Sequence, residues 1–172
     1  MKNILLAIAI ALPLSLFAAQ MDANGIVTKQ SHVDVKTTID RLEKMIKQKG
    51  ITLFNRIDHR GNAKKAGGAE MGDAELIIFG KPNVGLKMMT KDPKAGLDLP
   101  LKMLAYKAKD GKVYLSYRDV AFYGKIYDLE GCKVPAKMSK MLNMLSNKAT
   151  MSPEDFKAFV HKSKKASKSP KQ

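Results

Sequence analysis

His59 is the residue with the widest chemistry open to it. It follows Asp58 and opens a stretch holding Gly61, Gly67 and Gly68, where a backbone free of side chains lets a ligand approach closely. Its imidazole can ligate a metal, move a proton or cap a carbonyl. A histidine bonded to its own loop is the commoner use of such a residue and carries more weight. Asp98, beside Leu99-Pro100, can accept from loop N–H groups or from a ligand, and the proline favours the structural use by holding an extended backbone. Lys81 supplies a cation, although Gly80 to Gly85 (GKPNVG) lacks the residue order of a phosphate-binding loop. Asp58, His59, Lys81 and Asp98 are the ligand-binding candidates. Eleven methionines bring thioether sulfur, which favours Cu(I), so His59 with Met88 and Met89 makes the candidate metal set, with copper or haem as the cofactors to consider. Most methionines have a plainer explanation: Met45, Met138, Met141 and Met144 lie on or beside helical apolar stripes, where methionine fills irregular gaps. Cys132 has no histidine nearby to mark a catalytic pair and is read as a bland thiol, with an intermolecular disulfide as the alternative. No GxSxG, HExxH or well-placed carboxylate pair is present, so no catalytic residue is assigned.

These residues must be positioned by a mixed set of elements. Gly25 to Gln30 is a strand candidate. Asp34 caps a helix whose Val35, Ile39, Leu42, Met45 and Ile46 form one apolar face, and Gly50 ends it. Ile51 to Asp58 is the next strand, which completes a β-α-β element. From His59 to Gly72 the chain is small and polar, and a long connection with at most one helical turn is expected. Ala74 to Phe79 reads as an interior strand, and Asn83 to Met89 as a short helix. Leu99 to Ala108 and Lys112 to Tyr117 flank Lys109-Asp110-Gly111 as a hairpin. Helices are expected over Asp119 to Leu129, Pro135 to Asn147 and Thr150 to Lys162. The order argues for an α+β fold: a single, mainly antiparallel sheet of about five strands packed with helices, followed by C-terminal helices.

The termini and the charge set a compartment and exclude some partners. Lys2 precedes an apolar run from Ile4 to Ala19 that is shorter than the ~20 residues of a spanning helix, so residues 1–19 read as a signal peptide. The protein is then exported, periplasmic in a Gram-negative cell, with no transmembrane segment after cleavage. Residues 131–162 form a helical extension, and residues 163–172, rich in Lys and Ser, form a basic tail expected to be disordered. A formal net charge of +15 suits an acidic exported partner or an anionic envelope surface. Export makes nucleic acid an unlikely partner.

Several segments together resemble the bacterial and archaeal family called domain of unknown function 302. They are the Val35-to-Ile46 helix, Ile57-Asp58-His59, Glu75 to Gly80 (ELIIFG), Pro82 with Met88-Met89, Gly96 to Leu104 (GLDLPLKML) and Asp110 to Tyr117 (DGKVYLSY). The resemblance covers residues 24–130 and implies an α+β fold, commonly a homodimer, with no established activity. The chain departs from the family's pattern at Lys81, where Asn is usual, and at Leu86, where a small polar residue is usual.

Three function classes follow. The favoured one is a non-catalytic, dimeric binding module for a small ligand, haem or a metal near His59 and Asp98. It predicts a closed pocket joining residues 58–68 to the 80–89 loop and the 96–100 segment. The alternative is a redox or electron-transfer accessory that docks acidic periplasmic partners through its lysines. An enzyme with His59 as general base has least support.

Overall fold

The structure, a computed structural model, describes residues 21–68 and 70–168. The expected signal peptide and residues 169–172 of the tail lie outside them. Asp34 caps α1 (Val35–Gln48): its Oδ1 accepts from the Thr37 amide at 2.7 Å, filling one of the free donors of the first turn. The apolar face buries Ile39, Leu42 and Ile46 completely, and Gly50, at φ 58°, turns the chain out of the helix.

β1 (Ile26–Ser31) and β2 (Thr52–Asp58), the strands on either side of α1, do not pair. They run the same way at opposite edges of one five-stranded sheet with the order β1-β5-β4-β3-β2. Every neighbouring pair is antiparallel. β3 (Ala74–Gly80), β4 (Leu101–Lys107) and β5 (Val113–Arg118) fill the space between, and α1 carries the chain across one face. The expected α+β architecture is the one observed.

Period-two alternation splits the sheet into two unlike faces. Ile77 opposite Met103 and Phe79 opposite Leu101 are buried beneath the helices, together with Leu115 and Tyr117. The other face carries Leu76 opposite Leu104, Ile57 opposite Leu76, and Tyr106 opposite Tyr114, all half-buried. β2 is irregular between Leu53 and Asn55. Such a bulge re-aims a side chain, and Phe54 stands outward there, 49% exposed.

Four elements differ from expectation. Asp58 accepts from the Gly61 amide at 2.8 Å and starts α2 (His59–Lys65), so half of the expected loop is helical. Pro93–Leu97 is a 3-10 turn capped by Asp92, whose carboxylate also accepts from the Asp128 amide at 3.1 Å. The helix expected over 119–129 is reduced to a 3-10 turn, Val120–Lys125, capped by Asp119. Finally, α4 (Val134–Ala149) is no appendage, because Leu142, Leu145 and Ala149 are buried in the common core.

α5 (Pro153–Lys168) continues six residues beyond the point where the tail was expected to lose structure. Extending an existing helix is cheap, and Lys and Ala are good helix formers, so apolar burial is not needed there. Arg41 joins α1 to the α4–α5 corner. Its guanidinium donates to the carbonyl of Met151 at 2.7 Å and lies 4.0 Å over the Phe156 ring.

Candidate functional site

The sheet separates the residues that the sequence offered as one site. Asp58 sits opposite Glu75 near the start of β3, whereas Gly80 ends that strand beside the 96–100 segment. Five residues at about 3.3 Å each put roughly 16 Å between these ends. His59 is exposed as the first residue of α2, far from Asp98 and Lys81. Met88 is fully buried in the core, while Met89 is 40% exposed at the Asp98 end. The proposed three-donor set of His59, Met88 and Met89 is therefore not brought together. Among the described residues, no three His, Cys, Asp or Glu side chains lie together in a way that would hold a metal ion.

At the His59 end the charged groups satisfy one another. Arg56 donates from Nε to Glu75 at 2.6 Å and from its terminal nitrogen to Asp40 at 2.8 Å and Glu43 at 2.6 Å. Arg60 pairs with Asp73 at 2.5 Å. A depression of 350 Å³ lies here, and Asp58, Asp73, Arg56 and Glu75 in its wall are already bonded.

Asp98 is a brace. Its Oδ2 accepts from the Tyr127 hydroxyl at 2.6 Å and its Oδ1 from Arg118 at 3.2 Å. The Tyr123 hydroxyl and the Lys102 ammonium donate to its backbone carbonyl at 3.2 and 3.4 Å. The Tyr127 hydroxyl is pushed up to about 12, first by its bond to Asp98 and then by burial. Burial, followed by the Asp98 charge, raises Tyr123 as well. Both carboxylate oxygens are engaged, so Asp98 holds the segment that follows it, including the cis Leu99–Pro100 bond.

What that segment borders is an apolar cleft of 420 Å³ under α3 (Pro82–Met89). Phe54, Leu86, Met89, Leu99, Pro100 and Met138 make its walls, and Lys81 is its one charged side chain. Glycines create the space. A Cβ placed on Gly80 would point between Pro100 and Phe54, 3.6 and 3.7 Å away, and one on Gly85 would meet Leu99 at 3.4 Å. The cleft joins the 80–89 and 96–100 segments as expected, but β2 contributes through Phe54 where residues 58–68 were expected to.

A second depression of 600 Å³ adjoins it, and Lys81 and Met138 line both. Its floor is Met138, Met141 and Met144 with Val84, and Lys49, Lys81, Lys87 and Lys137 surround it. Sequence reasoning treated these methionines as core and named only Lys81 of the four lysines. The signal was the methionines at the margin of the α4 stripe: Met138 and Leu142 are buried, but Met141 and Met144 are only half-buried. Cys132 is half-buried nearby, its Sγ 3.9 Å from the Lys87 carbonyl.

An α+β fold with a glycine-floored apolar cleft is the class these features define. The family described as domain of unknown function DUF302 matches residues 27–145, and the chain belongs to that family. The match runs through most of α4, in keeping with that helix's place in the core. Among solved structures, the crystal structure of an uncharacterized conserved DUF302 protein from Bacillus stearothermophilus has the same fold. It superposes with a TM-score of 0.65 over 75% of this chain and 100% of that one, at 18% identity. Two curated relatives are a protein named fluoride-specific ion channel FluC 1 from Brucella suis biovar 1 and one of the same name from Brucella abortus biovar 1. Each is 39% identical over 106 residues, 62% of this chain and 41% and 39% of theirs. The chain thus spans about two-fifths of the length of these relatives. Among its described residues no helix is long and apolar enough to cross a membrane. Lys81 and Leu86 both line the cleft.

Proposed function

We propose that the protein is an exported, dimeric, non-catalytic binding module whose small apolar ligand occupies the cleft beside Asp98. The observation that carries this reading is the cleft itself: 420 Å³ of apolar space, floored by Gly80 and held open by a hydrogen-bonded brace. Pockets of this size and character bury small ligands, with few polar groups needed. Leu86 and Phe54 in its walls are 59% and 49% exposed, an apolar rim that solvent disfavours. A second copy would cover the half-buried Ile57, Leu76, Leu104 and Tyr106 of the open sheet face, which supports the dimer. The relatives named as ion channels carry a similar region within a longer chain, which supports a working place at a membrane.

Native mass spectrometry of the mature protein taken from the periplasm tests this, with elemental analysis of the same sample. The expected result is a dimer carrying a stoichiometric small organic mass that is absent in Gly80→Val. Gly80 has no positive φ, so valine enters the cleft without backbone strain. A dimer without added mass that also fails to take up an apolar probe such as 1-anilinonaphthalene overturns the reading, and moves the choice to salt-sensitive docking of an acidic partner.

A further inference from the structure

Resting on the cleft reading, we propose that the ligand is a single-chain anionic amphiphile of the fatty-acid class. Its tail lies in the cleft and its carboxylate among Lys49, Lys87 and Lys137. The two depressions share Lys81 and Met138 in their linings and so adjoin as an apolar and a cationic part, together the trough. No acidic side chain lines either part. Elsewhere in the molecule acids and bases meet, at Arg56, Arg60 and Arg118. Among the described residues, Lys49, Lys81, Lys87 and Lys137 have no ion pair. Four like charges around an apolar floor repel one another, and low-dielectric walls focus their field into the trough. A negative head group relieves that repulsion, and an alkyl chain covers the floor.

The lining narrows the class further. Apart from lysine, the cleft walls offer no polar side chain to orient a sugar, nucleotide or peptide. Methionine, unbranched and polarizable, suits a ligand whose chain adopts several shapes.

Calorimetric titration of the mature protein with monomeric dodecanoate, decanoate, dodecanol and dodecyltrimethylammonium tests the proposal. Dodecanoate is expected to bind once per chain. Decanoate, two methylenes shorter, should bind roughly tenfold more weakly. The double variant Lys87→Glu/Lys137→Glu changes exposed side chains only. It should weaken dodecanoate at least tenfold and leave dodecanol unchanged, while Gly80→Val should weaken both. Equal affinity for dodecanoate, dodecanol and the ammonium probe, with no effect of the lysine changes, overturns the anionic class and leaves the apolar-ligand reading standing. Binding to anionic vesicles without saturable dodecanoate binding also overturns it. Unaltered dodecanoate and dodecanol binding in Gly80→Val removes both readings.

Discussion

The two ends of the sheet use the same amino-acid types in opposite ways. At the β2–α2 end, Arg56 is surrounded by Asp40, Glu43 and Glu75, Arg60 meets Asp73, and the Asp58 carboxylate caps a helix. At the α3–α4 end, four lysines have no ion pair among the described residues, glycine stands where side chains would fill space, and Phe54, Leu86, Met89 and Leu97 are exposed. Charges that bind one another stabilise a fold and leave little to offer a ligand. Unsatisfied charge beside uncovered apolar surface costs stability and is what a ligand can relieve. The polar depression near His59 and the apolar cleft are similar in scale, 350 Å³ against 420 Å³, so chemistry and not volume tells them apart.

The comparison breaks most visibly at Arg56. Arg56→Met removes three charge-assisted bonds and leaves three carboxylates facing one another, an expected loss of about 2 kcal/mol in unfolding free energy near neutral pH. The acid limb should change as well. Bonds from Lys47 and Arg56 hold Glu43 below its ordinary range. Burial pushes Asp40 up, but the bonds from Lys36 and Arg56 together bring it lower. Groups with depressed folded-state values stabilise above their unfolded values, about 4, and lose that contribution as pH falls through the folded ones. Urea unfolding between pH 7 and 3 should therefore show a shallower acid loss in the variant than in the wild type. A parallel loss in both would mean that Arg56 does not set these carboxylates.

A smaller effect is expected where the two regimes meet. Asp98→Asn keeps the shape of the brace but removes the charge that Arg118 and Tyr127 bind, for a loss of about 1–2 kcal/mol. Tyr127, neutral up to about 12 in the wild type, should then ionise closer to ~10. A raised tyrosine value stabilises fully below the unfolded ~10 and is lost as pH rises through 12, so the variant's deficit should shrink across that interval. Absorbance titration of the phenolates reads this directly. An unmoved high-pH phenolate would leave burial as the cause.

These residues also show what the sequence made legible. Periodicity and caps located α1, the β4–β5 hairpin and the α4 stripe because each is a local pattern: Asp34 three residues before Thr37, or Met138, Leu142 and Leu145 on one helical face. Pairing order is not local. Nothing near His59 or Asp98 reveals that β3 runs between them and holds them at opposite ends. The brace joins residues 98, 118, 123 and 127, and the trough joins β2 to α4, so each appears only once the chain has crossed the sheet. Short polar stretches misled for a related reason. Asp58 looked like a ligand group but is used locally as a cap, a choice its spacing to Gly61 could have suggested.

A further effect, confined to alkaline pH, concerns a lysine whose ammonium is bonded within the fold. Lys29 stands on the helix-facing side of β1, opposite Leu115, and its ammonium donates to the Asn143 and Asn147 side-chain carbonyls, the first at 2.6 Å. Burial lowers it to about 8, only partly offset by the attraction of Asp119. In the unfolded chain it titrates near 10.4. Between these values the unfolded state binds the proton and the folded state does not, so wild-type stability should rise with pH from about 8 to 10.5. Lys29→Met removes this group alone, so the difference in unfolding free energy between wild type and variant should move in the wild type's favour over that interval and stay level below it. Guanidinium unfolding at pH 7, 9 and 10.5 makes the comparison without needing either absolute value. A level difference throughout would mean that the two amides replace water fully. Lysines on this protein could then be desolvated at little cost, and the exposure of those around the trough would lose its significance.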